Sequence, residues 1–393
     1  MRWFVLATLA LLLLPACDPK PRPVRVLVVG LDGADWDVID PLAAAGYLPT
    51  IGGLVEDGLR ADLDCVPALP QFACFCPPVW TSIMTGQPAH VHHMIAIQSR
   101  ADERGAPALW TLNGQRGGVN TLVSIRNSWP FEAEVNWGLS EPGLDAMAAE
   151  VFKVWGGGNE HPALEEPETL SVPSRLFEIL GIRPRAGPDA WTAFARDRVA
   201  MEAMSGLGLL TRFTSLLLRS SELVVLTLHS PDKSSHVAWG SIQALPEAPI
   251  DEDALLAQAE AWQGPVTGPA PWAFGSVASQ YLEAEQWLGE YLERNRYDYV
   301  VLASDHGMAR NPGPGLAGVH GSATPEAHWG ILSITGAGVR AGVEVEANVL
   351  DVAPTLAYLM GIPVAEDLPG RVLVEGMTDE KLASDPIQTI PSW

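Results

Sequence analysis

Apolar residues along this chain follow two rhythms. Five segments are short, nearly continuous runs of β-branched or leucine-rich residues: Val24–Val29, Thr121–Ile125, Leu223–Leu228, Tyr299–Ala303 and Gly330–Ile334. Runs without polar alternation suit strands that are covered on both faces. Between them the period lengthens. Ser276–Arg294 places Val277, Tyr281, Ala284, Leu288 and Tyr291 at spacings of three and four, with charges on the other face, and predicts an amphipathic helix. Val349–Met360 predicts a second helix, stopped by Gly361 and Pro363. Strands alternating with helices predict an α/β fold with a doubly wound, largely parallel sheet and helices on both of its faces.

With 393 residues, 47% of them hydrophobic, the chain is too apolar to be disordered and long enough for a large core. Residues 24–375 read as one domain. Two stretches look inserted, near 128–187 and 243–271; the second is rich in Pro, Ala and acidic residues, as in a surface loop or lid. Residues 376–393 read as a C-terminal tail. At the other end, Met1-Arg2-Trp3 leads into the apolar run Phe4–Leu14, which is too short to cross a bilayer and reads as the core of a signal peptide over 1–16. Leu14-Pro15-Ala16-Cys17 resembles the lipobox, where a bacterial lipoprotein is lipidated on cysteine and cleaved. Lys20, Arg22 and three prolines then make an extended tether over 17–23. The expectation is an exported protein of the cell envelope or periplasm, held to the membrane through a lipid on Cys17. Ordinary secretion with Cys17 unmodified is the alternative.

Charge narrows the partners. A formal charge of −23 with no basic run disfavours nucleic-acid polymers and anionic membrane surfaces. It also repels anionic substrates at long range, so a phosphate ester would need local positive charge, which metal ions can supply. Beyond Cys17 there are three cysteines, Cys65, Cys74 and Cys76, and three cannot all pair within one chain. Cys65 can close a short loop with either Cys74 or Cys76, and we favour Cys65 with Cys74, leaving Cys76 free.

Open α/β sheets bind ligands beyond the carboxyl ends of their strands. Here a metal-type ligand follows strand after strand. The first strand runs into Gly30-Leu31-Asp32-Gly33, the third into Asp232-x-x-x-His236, the fourth into Ser304-Asp305-His306-Gly307, and Gly318-Val319-His320-Gly321 precedes the fifth. Each piece alone is ambiguous: Gly-Leu-Asp-Gly also reads as a turn, and Asp232 with His236 also reads as a surface pair. Asp305-His306 is more telling, because two ionisable groups directly after an apolar strand are costly to bury unless they coordinate something. Together, three Asp and three His suit two divalent ions, Zn²⁺ by ligand chemistry. Two such ions can clamp the entering and leaving oxygens of an in-line displacement at phosphorus.

From Val24 to about Val374 the sequence resembles the alkaline phosphatase superfamily, and within it the type I phosphodiesterase/nucleotide pyrophosphatase branch. The resemblance rests on Val28-Val29-Gly30-Leu31-Asp32-Gly33, Pro77-Pro78-Val79-Trp80-Thr81-Ser82-Ile83-Met84-Thr85-Gly86, Ala108-Leu109-Trp110, Asp232-x-x-x-His236, Ser304-Asp305-His306-Gly307 and Asp351-Val352-Ala353-Pro354-Thr355. It implies a metal-dependent hydrolase of small phosphate esters. It further implies that Asp232, His236 and His320 hold one zinc and Asp32, Asp305 and His306 the other. His320 is preferred to His328 because Gly318-Val319-His320-Gly321 is similar to the family's Gly-x-His-Gly loop.

One position departs from the family. Where the branch carries a Thr or Ser nucleophile shortly before the Trp-Thr-Ser stretch, this sequence has Cys76. Three readings stay open. Cys76 is oxidised to formylglycine, as in the related sulfatases and phosphonate monoester hydrolases, although Trp80 stands where their Cys-x-Pro-x-Arg motif has Arg. Or Cys76 acts unmodified, as nucleophile or metal ligand. Or Thr81 supplies the hydroxyl. The functions that follow are a phosphodiesterase or pyrophosphatase, a sulfatase or phosphonate monoesterase with modified Cys76, or an inactive metal-binding envelope lipoprotein.

Overall fold

The chain is described by a computed structural model, which describes residues 22–68, 74–96, 99–139, 221–240, 271–311, 317–321 and 324–393. The expected signal peptide, Cys17, most of the tether, and the stretches 140–187 and 243–270 lie outside them.

Strand β1 (Val26–Leu31) is buried along its whole length. It is flanked by β5 (Leu223–Leu228) and β6 (Tyr299–Ala303), both parallel to it. These three strands are short, nearly continuous apolar runs, and they occupy the middle of the sheet, as burial on both faces requires. Strands β3 (Asn120–Val123) and β4 (Trp137–Leu139) extend the parallel part beyond β5. On the other side β9 (Trp329–Gly336) runs antiparallel to β6, and β2 (Leu59–Asp64) antiparallel to β9. Two short strands, β10 (Val343–Glu344) and β11 (Ala347–Asn348), pair parallel to β2. The order is β10-β2-β9-β6-β1-β5-β3-β4, with β11 also on β2. Off this sheet, β7 (Ala309–Arg310) pairs with β8 (Gly318–Val319), and β12 (Val364–Ala365) with β13 (Thr389–Ile390).

Helices cover both faces. Alternate residues of β1 face opposite ways. Val26 and Val28 join Trp80 and Ile83 of α3 (Cys76–Thr85), Leu109 of α5 (Leu109–Gln115) and Leu356 of α8 (Val352–Leu359). Leu27 and Val29 join Ile39 of α1 (Trp36–Ala44), Ile51 of α2 (Pro49–Glu56), and Tyr281 and Leu288 of α7 (Pro271–Arg294). Shorter helices are α4 (Ala89–His92), α6 (Ser230–Ala238) and α9 (Asp379–Ser384). The expected doubly wound, largely parallel α/β sheet is therefore what forms. Several bounds shift: the strands expected over Val24–Val29, Thr121–Ile125 and Gly330–Ile334 form over Val26–Leu31, Asn120–Val123 and Trp329–Gly336, α7 begins five residues before Ser276, and the first turn of the Val349–Met360 segment is a 3₁₀ turn, Val349–Asp351, leading into α8.

Candidate active site

The site is assembled at the carboxyl ends of β1, β5 and β6. Asp32 leaves β1 with its N–H still bonded to the Leu228 carbonyl at 2.9 Å, so it is fixed by sheet geometry. Gly33 follows with φ +67, and a Cβ there would lie 2.9 Å from the Asp232 Cα; a left-handed turn this close to a neighbouring backbone needs glycine. Asp232 sits in the first turn of α6 with His236 one turn on, its Nε2 3.3 Å from Asp232 Oδ1. Asp305 and His306 follow β6 directly, both with no exposed surface. The Ser304 hydroxyl donates to the His306 carbonyl at 2.6 Å and accepts from the Ala34 N–H at 3.0 Å, tying the β6 and β1 loops together. Cys76 opens α3, with its Sγ 3.1 Å from His306 Nε2.

These atoms form overlapping groups. One ligand atom each from Asp32, Cys76, Asp305 and His306 all lie within 4.8 Å of one another, as do those of Asp232, His236 and His320. A third set, Cys76, His306 and His320, joins the first two. The His306 and His320 rings stack with centroids 3.8 Å apart.

Three observations fit divalent cations. First, each candidate histidine spends Nδ1 on a backbone carbonyl: His236 on Gly318 at 3.1 Å, His306 on Gly307 at 2.8 Å and His320 on Cys74 at 2.9 Å. A carbonyl only accepts, so Nδ1 donates and Nε2 is left with its lone pair, the arrangement of metal-binding imidazoles. Second, Asp32 Oδ1, Asp232 Oδ1 and Asp305 Oδ2 are buried without a hydrogen bond among the described residues, which is costly unless a cation compensates. Third, the electrostatics are strained in the way a cation relieves. Burial, then repulsion from Asp32, pushes the Asp305 carboxyl well above its ordinary range. Burial would also raise Asp32, but attraction to His229, Arg126 and His306 outweighs it and holds that group well below. Burial and the charges of Asp32, Asp305 and Asp232 push the Cys76 thiol well up. Burial, reinforced by His306, lowers His320 to about 4.

The structure thus brings together Asp32, Asp232, His236, Asp305, His306, His320 and Cys76. Thr81 does not join them. Its hydroxyl donates back along α3 to the Pro77 carbonyl at 3.1 Å. His328 lies outside the three groups. Cys65 is bonded to Cys74, their Cα atoms 5.4 Å apart, and Cys76 is free and buried. The bonded Cys74 is also the residue whose carbonyl orients His320.

Two groups escaped the sequence reading. His229 donates from Nδ1 to Asp32 Oδ2, and Arg126 Nη2 stands 3.6 Å from the same oxygen. The signal was positional. His229 is the first residue past β5, as Asp32 is past β1, and Arg126 lies in the loop after β3.

Over residues 26–354 the sequence matches the type I phosphodiesterase / nucleotide pyrophosphatase family. The chain belongs to that family, a family of hydrolases acting on phosphate esters. Solved structures share the fold. A phosphonate monoester hydrolase of Agrobacterium radiobacter is 16% identical, over 91% of this chain and 77% of its own, with a TM-score of 0.54. The phosphonate monoester hydrolase SpPMH from Silicibacter pomeroyi is 17% identical, over 90% and 76%, with a TM-score of 0.52. An inactive form of murine ectonucleotide pyrophosphatase / phosphodiesterase 5 in complex with AMP is 13% identical, over 90% and 98%, with a TM-score of 0.50. No curated protein matches the sequence.

Proposed function

We propose that this chain is a zinc-dependent hydrolase of the phosphodiesterase or pyrophosphatase type that works with two divalent ions on small phosphate esters. We further propose that it is exported and held to the membrane by a lipid on Cys17. The observation that carries the catalytic reading is the pair of ligand groups meeting at Cys76 and the His306–His320 stack, with three bare carboxylate oxygens between them. Asp232, His236 and His320 would hold one ion, and Asp32, Asp305 and His306 the other. When bound, the two cations supply charge stabilisation to the phosphoryl oxygens and to the entering and leaving groups.

Cys76 is then the attacking group. Its place at the first turn of α3 points the positive end of ten residues of helix at the sulfur, a pull toward the thiolate that acts against burial and the neighbouring carboxylates. The sulfur forms a bond to phosphorus as the bond from phosphorus to the ester oxygen breaks, and the departing alcohol takes a proton. Water then cleaves the sulfur–phosphorus bond, returning the thiol and releasing the phosphoryl product. A second reading, a phosphonate monoester hydrolase or sulfatase with Cys76 oxidised to formylglycine, draws on the fold likeness to the two phosphonate monoester hydrolases.

Zinc-supplemented protein should retain about two ions through gel filtration, as a two-metal hydrolase does, and turn over aryl phosphodiesters faster than aryl phosphonates or sulfates. Fewer than one tightly held ion would sink the two-ion reading. An aldehyde mass on the Cys76 peptide with dominant phosphonate or sulfate turnover would move the assignment to the second reading.

A further inference from the structure

His229 begins like a fourth ligand and ends differently. Its Nδ1 meets Asp32 Oδ2 in a short hydrogen bond, and its Nε2 faces the Ser124 carbonyl at 2.9 Å. Both ring nitrogens are thus taken up by protein oxygens, and neither is open to a cation. His236, His306 and His320 each keep one ring nitrogen open. The Ser124 carbonyl is itself held in place at a cost. Ser124 is buried at φ +56, in the left-handed region that a non-glycine residue seldom adopts and that costs on the order of 1–3 kcal/mol. Asn127, three residues on, has φ +56 as well, and its amide donates to the Ala96 and Ser99 carbonyls at 3.1 and 2.7 Å. Between these two positions the turn carries Arg126, whose Nη2 is 3.6 Å from the same Asp32 Oδ2. The other oxygen of that carboxylate, Oδ1, has no hydrogen bond among the described residues and lies 3.6 Å from His306 Nε2.

Asp32 is therefore divided between its two oxygens: one faces two donors and the other faces the ligand cluster. We infer that His229, supported by Arg126, is a positioning residue that makes Asp32 a monodentate ligand, blocking Oδ2 and presenting Oδ1 to the cation of the Asp32–Asp305–His306 group. This rests on the two-ion reading above. Monodentate binding limits that ion to few protein ligands and leaves coordination positions for substrate, the condition of a catalytic rather than a structural site. Without His229 the carboxylate is free to rotate, to present both oxygens to the ion or to turn toward Arg126.

The test is a zinc titration of the full-length protein against a chromophoric chelator, with elemental analysis and thermal unfolding as companions. Wild type is expected to bind two ions tightly. His229→Leu should weaken one of the two by about 10–100-fold, the usual effect of losing a group that orients a ligand, while the ion held by Asp232, His236 and His320 keeps its affinity. His229→Asn, whose amide nitrogen stands near the place of Nδ1, should restore most of the lost affinity although it cannot reach Ser124. Two ions bound at wild-type affinity in both variants would overturn the inference. So would equal weakening of both ions in the Leu variant with no recovery in the Asn variant, which marks a role in folding alone. Wild-type protein that binds fewer than two ions defeats the two-ion reading itself, before any variant is compared.

Discussion

Cys76 sits where two demands conflict. Burial, and after it the carboxylates of Asp32, Asp305 and Asp232, raise the thiol well above its ordinary range, so the protein part of the site alone opposes the thiolate that attack requires. Bound cations reverse the sign of that local field. Thr81 has the opposite character: it carries a hydroxyl of the kind usual in the family, but that hydroxyl is committed to the Pro77 carbonyl inside α3. We expect Cys76→Ala to lower kcat by several orders of magnitude, since it removes the covalent route. Thr81→Ala should stay within about tenfold, roughly 1.4 kcal/mol of barrier. Cys76→Thr should retain diesterase turnover. Single-turnover rates on one phosphodiester check all three, and the reverse ranking of the two alanine variants would transfer the nucleophile role to Thr81. The residues legible in the sequence were those whose type is rare after an apolar strand: Asp32, Asp305 and His306. His229 has the same placement, and what hid it is that its neighbour Asp232 opens a recognisable Asp-x-x-x-His spacing while His229 itself belongs to none. Arg126 was hidden because a lone arginine in a loop has too many ordinary explanations.

At the scale of elements, legibility followed burial. Leu223–Leu228 and Tyr299–Ala303 form strands over the expected residues because both faces are covered and every position except Thr227 is apolar or aromatic. Strand β2, Leu-Arg-Ala-Asp-Leu-Asp, was missed. It lies toward the edge of the sheet, buries alternate residues only and offers three apolar side chains in six, which is a weak signal. Helix α3 gives no amphipathic period because all ten of its residues are buried; its start is set by Pro77 and Pro78 and its end by Gly86 at φ +66. The junction of β1 and α1 makes a testable element. Asp35 caps α1 by accepting from the Asp37 N–H at 2.9 Å and reaches the Met308 N–H at 3.4 Å, linking the loops after β1 and β6. Burial, with repulsion from Asp37 and Asp62, outweighs those hydrogen bonds and raises its carboxyl from 3.8 to about 6. The folded state thus binds this proton more tightly than the unfolded chain. Its contribution is complete below about pH 4 and is lost as pH rises through about 6. Asn caps a helix as well as Asp does. Asp35→Asn should therefore gain stability over wild type above pH 6, by at most about 3 kcal/mol and less where water screens the charge, and the gain should vanish toward pH 4. Melting curves of both proteins across that range check it; a difference independent of pH would show that folding leaves the Asp35 carboxyl at its ordinary value.

The whole molecule has a polarity that matters if it is anchored. The ligands gather at the carboxyl ends of β1, β5 and β6, whereas the chain enters the sheet at the opposite edge. There Arg22 pairs with Asp298 at 2.5 Å, and the Arg25 N–H bonds the same carboxylate at 2.8 Å, just before β6 begins. The six residues of β1 separate the two edges by about 20 Å at roughly 3.3 Å per residue. A tether running from Cys17 to Arg22 would hold the domain by the edge away from the site, so the ligand cluster would face the aqueous side, open to soluble esters rather than to lipid. That arrangement suits a surface carrying a net charge of −23, which an anionic bilayer repels. Two results follow if Cys17 carries the lipid. Cys17→Ser should move the protein out of the membrane fraction or leave its leader uncleaved, because one thiol bears the anchor. Detergent-free turnover of a soluble aryl phosphodiester should be the same for the released variant as for the anchored wild type, since the anchored edge contributes nothing to the site. Processed Cys17→Ser protein that still partitions with membranes would show that Cys17 is an ordinary residue. A released protein whose turnover falls would show instead that the membrane presents substrate to the site, and that the domain stands on the bilayer the other way up.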